Sequence, residues 1–136
     1  MHRILAVCLA VTACAAVGTN VPDTKVVEVG TDFGLSPGQT AVLEQGALTV
    51  TFVKVNEDSR CPEGVVCVWQ GNVATALLLG PSTGDKSPAT LHTTLSPQSV
   101  SSGAYVIALT GIQPVRKQQG NIPQADYIAT FRVTRQ

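Results

Sequence analysis

Charge is the scarcest property of this 136-residue sequence. Lys and Arg number 9, Asp and Glu number 9, and together they make 13% of the chain, about half the usual share. The net charge is zero, so no field draws nucleic acid, and no basic stripe with interleaved aromatics is present. Aromatic residues make only 4%, and there are 2 histidines. No apolar run approaches the ~18 residues that span a bilayer as a helix. Gly-x-Ser-x-Gly, HExxH, a calcium loop and a phosphate-cradling glycine loop are all missing. The segment Gly80 to Ser87 mixes Gly, Ser and Lys without the Walker spacing and reads as a hairpin loop. These absences leave no catalytic residue, metal site, cofactor or small-molecule substrate to name.

What is present is apolar. Ala, Val, Ile, Leu and their like reach 44%, and mean hydropathy is +0.22. That excludes a disordered chain, and the length fits one domain. Burial at ~25 cal/mol per Å² gives a chain of this size a self-sufficient core.

The N-terminus carries an address. Met1-His2-Arg3 is followed by an uncharged stretch from Ile4 to Ala13 and then by Cys14, the layout of a secretory signal. Val11-Thr12-Ala13-Cys14 resembles a bacterial lipobox, in which the Cys thiol takes a thioether-linked diacylglycerol and becomes the new N-terminus. The expected organisation is a lipoprotein-type signal peptide at 1–13, a tether at 14–23 and one β-domain at 24–136. Ala15 is not the Asp that signals inner-membrane retention in similar lipoproteins. The expected place is therefore the cell envelope, outer membrane or periplasm, with the membrane itself as a partner through the lipid.

An exported chain meets an oxidising compartment, so its cysteines read first as a disulfide. Beyond Cys8 and Cys14 only Cys61 and Cys67 occur, with Pro62 and Gly64 between them to turn the chain. Closing so small a loop stabilises by roughly 2 kcal/mol, so the bridge fixes a local shape. A redox pair would have two intervening residues at a helix start. A metal site would need His92 and a carboxylate such as Asp58 or Glu63 beside the two thiolates.

From residue 24 the sequence consists of short apolar or alternating runs between Gly, Pro, Ser and Asn clusters. Strands are expected at 25–30, 40–44, 48–55, 66–79 with a bend at Gly71, 89–95, 104–109 and 126–134, with Phe33 to Gln39 as a turn. In 48–55, Leu48, Val50 and Phe52 share one face, but Val53 and Val55 break the period, which predicts burial on both sides near the end of the strand or a bulge. In 126–134, Tyr127, Ala129, Phe131 and Val133 alternate with Thr130, Arg132 and Thr134. About seven strands without helical periodicity predict an all-β antiparallel sandwich or small barrel. Phe52, Trp69, Tyr105, Tyr127 and Phe131 are the expected large core residues, with Trp69 packed on the disulfide. His92, flanked by Thr90 and Thr94, is placed on the solvent side.

The segment from Phe33 to Leu79 resembles a group of uncharacterised bacterial secreted proteins and lipoproteins. The resemblance rests on Asp58, Ser59, Arg60, Cys61, Pro62, Cys67, Val68, Trp69 and Gly71, and on Tyr127, Thr130 and Val133 near the C-terminus. It implies a small exported β-domain and carries no activity with it. Physical reasoning gives the segment two roles. Asp58 can accept N–H groups of a following turn, and Arg60 has carboxylates nearby for a bidentate pair, which makes a structural clamp. Alternatively Asp58, Arg60, Glu63 and Trp69, together with Arg116 and Lys117 of the 113–124 loop, form an interaction patch for an envelope protein partner. The leading function is a non-catalytic, envelope-anchored domain with a structural or interaction role. A secreted binding or inhibitory module and a periplasmic metal-binding protein are the alternatives.

If Cys14 is acylated, Cys14→Ser abolishes palmitate labelling in the producing cell and moves the protein to the soluble fraction. Undiminished labelling of the variant contradicts the lipobox reading.

Overall fold

The computed structural model describes residues 23–117 and 120–136. The signal peptide, Cys14 and the tether up to residue 22 lie outside the described residues.

The run of alternating apolar residues at 48–55 becomes the longest strand, β4 (Leu48–Asp58). Around it form β1 (Thr24–Val26), β2 (Asp32–Leu35), β3 (Thr40–Leu43), β5 (Val73–Gly80), β6 (Ser87–His92), β7 (Ser99–Ser102), β8 (Tyr105–Gln113) and β9 (Ile128–Arg135). One sheet has the order β1-β3-β4-β5-β6 and the other β2-β9-β8-β7. Every pairing is antiparallel except that of β1 with β3.

The inward positions explain the sandwich. Leu48, Val50 and Phe52 of β4 are buried, as are Ala129, Phe131 and Val133 of β9, because the period of two puts each set on one face of its strand. Phe131 meets Phe52 across the two sheets edge-on, with ring centroids 6.0 Å apart, and Phe33 at 6.1 Å. Edge-to-face contact of this kind adds to area burial. Buried hydroxyls are satisfied within the sheets: Thr49 donates to the Gly80 carbonyl at 2.7 Å and Thr75 to that of Leu91 at 3.0 Å.

Three local expectations are corrected. Asp32 to Leu35 belongs to a strand rather than a turn, because Phe33 and Leu35 bury against β9 while Asp32 pairs with Arg132 at 2.7 Å. The turn is confined to 36–39, where the Ser36 N–H donates to Gln39 Oε1. The Ser-rich strand β7, which has no hydrophobic alternation to announce it, pairs with β8. Val66 to Trp69 lies in no strand; its side chains face water instead of a sheet.

Of the two readings of the broken period in β4, the bulge is the one found, at Phe52/Lys54 and again at Val55/Glu57, and Val53 is exposed. The outer edge of β4 also loses a strand partner, since β3 pairs only as far as Thr51. The backbone groups beyond are met by other means. Phe52 exchanges hydrogen bonds with the 38–39 turn. The side-chain amide of Gln124 mimics a neighbouring strand at Val55, accepting from its N–H at 3.0 Å and donating to its carbonyl at 2.9 Å. This substitution matters because an unpaired backbone group that is shielded from water is costly. It also draws the 114–126 connection onto the end of β4.

The loops 59–72, 93–98 and 114–126 therefore gather at one end of the sandwich. The 81–86 hairpin lies at the other, where Tyr105 donates to Glu44, which also binds Arg135.

Candidate functional site

The gathered end has a polar interior. Asp58, the last residue of β4, receives Arg60 in a bidentate pair, Nε to Oδ1 at 2.9 Å and Nη2 to Oδ2 at 2.8 Å. The Arg60 N–H also reaches Oδ1 at 3.3 Å, and the Tyr127 hydroxyl donates to Oδ2 at 2.8 Å. Two oxygens thus accept four hydrogen bonds, which fills the capacity of a carboxylate. Arg116 crosses from the 114–126 loop and donates through Nη1 to the carbonyls of Asp58 and Arg60, both at 3.1 Å. Its own carbonyl accepts the Glu63 N–H at 2.8 Å. The two loops singled out in the sequence are joined here, and a cleft of about 190 Å³ between the end of β4 and the 114–126 connection is lined by Glu57, Asp58, Arg116, Gln124 and Tyr127.

The electrostatics follow from this geometry. Burial raises the Asp58 carboxyl, but hydrogen bonds from Arg60 and Tyr127 and the Arg60 charge outweigh it and hold it below the ordinary carboxylate range. Its hydrogen bond to Asp58 raises Arg60 in turn. Burial, then the hydrogen bond and negative charge of Asp58, push the Tyr127 phenol up to about 12. Asp58 is a saturated anion, suited to holding its neighbours and unsuited to taking a proton from a substrate.

A second set of bonds fixes the return of the loop into β5. Asn72 is buried, and its Oδ1 accepts from the N–H groups of Thr94 and Leu95 at 3.1 and 3.2 Å and from the Thr94 hydroxyl at 3.2 Å. Its Nδ2 lies 2.9 Å from His92 Nδ1. Amide and imidazole complement each other when that ring nitrogen accepts. His92 is thus half-buried and turned to Asn72, not to solvent: β6 ends there, so alternation with Thr94 does not continue. Gly71, where a bend was expected, has φ +78, and a Cβ on it would come within 2.2 Å of the Ser59 carbonyl oxygen. The two stems of the loop cross at this contact, which only glycine permits.

Between the stems, Cys61 and Cys67 are bonded, with Cα atoms 5.9 Å apart. Outside the bridge the chain is apolar and exposed: Val66 is 99% accessible, Val68 96% and Trp69 71%. The expectation that Trp69 packs on the disulfide is corrected. The indole stands at the rim of a shallow groove of about 380 Å³, shared with Ser59, Gly71, Thr94 and the exposed Leu95.

Of the patch expected from the sequence, Asp58, Arg60 and Arg116 are internal clamp residues. Glu63, Trp69 and Lys117 are exposed. Tyr127, Gln124 and Asn72 complete the arrangement and were not singled out as site residues. The phenol of Tyr127 was the available signal, since a buried Tyr hydroxyl requires a partner. Among the described residues no three His, Cys, Asp or Glu side chains gather as a metal site would require. No family model, curated protein or solved structure matches the chain.

The phenols provide a test. Tyr105, donating to Glu44, is also raised, and these are the 2 tyrosines of the chain. The native protein is therefore expected to show less tyrosinate absorbance at 295 nm at pH ~10 than the urea-unfolded chain, with the share of Tyr127 appearing only toward pH 12. Because the native phenol of Tyr127 ionises above its unfolded value, its contribution to stability is complete below pH ~10 and is lost as pH rises toward 12. A native tyrosine titrating at ~10 with the amplitude of both residues contradicts the Asp58–Tyr127 bond.

Proposed function

We propose that the protein is a non-catalytic, envelope-anchored β-sandwich that presents its disulfide-closed loop as an interaction surface. One observation carries the reading: at this end the Asp58–Arg60 pair turns inward while Val66, Val68 and Trp69 turn out. Asp58 and Arg60 retain side-chain accessibilities of only 11% and 18%, whereas Val66, Val68 and Trp69 stand in solvent. Exposed apolar residues are unremarkable singly and informative when clustered. Holding them on a loop fixed by a disulfide, a glycine crossing and a saturated carboxylate lowers the ordering cost of binding. Trp is also the residue type most enriched at binding hot spots.

The envelope location rests on the signal-like start and the lipobox-like Val11-Thr12-Ala13-Cys14, and a structural disulfide agrees with an oxidising compartment. A secreted binding or inhibitory module would use the same surface without the anchor, and the Glu63–Arg116 backbone bond that unites the two loops favours a shared surface in either case. Metal binding through the cysteine segment is disfavoured, since the disulfide occupies both sulfurs that would ligate.

A photo-crosslinking residue placed at Val68 in the producing cell is expected to give adducts with an envelope component. The same residue at Lys86, in the opposite hairpin, should give none. Equal yields at the two positions contradict the proposal.

A further inference from the structure

We propose that the surface this loop docks on is the lipid bilayer that holds the anchor, with Val66, Val68 and Trp69 seated in its interface. The proposal rests on the anchored reading above and adds its target.

The argument is one of direction and reach. Thr24 of β1 pairs with Thr40 of β3, and Thr40 with Thr51 of β4. Since β1 is parallel to β3 and β3 antiparallel to β4, following β1 back toward the N-terminus leads along β4 toward Asp58. The chain therefore enters the sandwich from the side on which the disulfide loop projects. From Thr51 to Asp58 the strand rises about 23 Å at ~3.3 Å per residue. Residues 15–23 span at most about 30 Å. A lipid on Cys14 thus reaches the level of the loop with little chain to spare, and the loop end of the domain meets the bilayer.

The chemistry of that end fits a lipid interface. The side chains pointing outward include two valines and an indole, with Leu95 beside the groove and Val115 exposed on the neighbouring 114–126 loop. Trp is enriched at membrane–water interfaces because its ring is apolar while its N–H seeks a partner. Asp58 and Arg60 are already paired with each other, and the exposed Glu63 and Lys117 would have to stay at the level of the headgroups. Loop insertion would act as the second membrane signal beside the acyl chains, in the way that paired signals give stable attachment.

The single Trp of the chain makes the test direct. The acylated full-length protein is reconstituted in vesicles of phosphatidylethanolamine and phosphatidylglycerol, with and without lipids brominated on the acyl chains. Trp69 emission is expected to shift to the blue and to be quenched by the brominated lipids. Val66→Asp combined with Val68→Asp should abolish shift and quenching while the protein still co-sediments with the vesicles. Val26→Asp, on a side chain equally exposed but on β1, should leave both intact. Co-sedimentation with an unquenched Trp69 overturns the docking, leaves the anchor standing and returns the loop to a protein partner. Failure to co-sediment overturns the anchor, and the docking with it.

Discussion

The carboxylate of Asp58 is the point on which the architecture of this end depends. It terminates the longest strand of one sheet, holds the guanidinium of Arg60 at the start of the disulfide loop and accepts the hydroxyl of Tyr127 at the entry to β9 of the other sheet. A single side chain thereby ties both layers of the sandwich to the loop between β4 and β5. Arg116 repeats the tie through the backbone. Partly buried ion pairs are weak arguments for stability as such, yet removing one partner leaves the other charge uncompensated. Asp58 is thus hard to replace on structural grounds alone.

The clamp answers a problem created by the sheets. Beyond Thr51, β4 outruns β3 and is bulged twice. A bulged and partly unpaired edge is a place where strands slip or pair wrongly. The Gln124 amide at Val55, the 38–39 turn at Phe52 and the Asp58 cluster at the tip close this edge without another strand. The same closure pins the 114–126 connection against the disulfide loop.

Strand periodicity made the core legible in the sequence. Alternation at 48–55 and 126–134 named Phe52 and Phe131, which meet at the centre of the sandwich, and the break at Val53 announced a bulge. The Asp58–Arg60 pair and the Gly71 bend were also readable, because both are local in sequence. Trp69 was not: a large aromatic two residues from a cysteine favours burial on average, yet its segment joins no strand and the indole stands exposed. Tyr127 as the partner of Asp58 and Gln124 as a surrogate strand depend on residues 69 apart in sequence, and no local pattern encodes such pairs. The division of the expected patch into an inward Asp58–Arg60–Arg116 clamp and an outward part that includes Trp69 is likewise a product of tertiary contact.

That division is the central claim, and it is tested by denaturant melts of two variants measured side by side. Asp58→Ala, which strands the Arg60 guanidinium and the Tyr127 hydroxyl, should lower stability by on the order of 3 kcal/mol. Trp69→Ala should unfold within about 0.5 kcal/mol of the parent, as a surface substitution does. The reverse outcome, a loss of about 3–5 kcal/mol for the Trp69 variant as for a buried aromatic and an unchanged midpoint for Asp58→Ala, would contradict it.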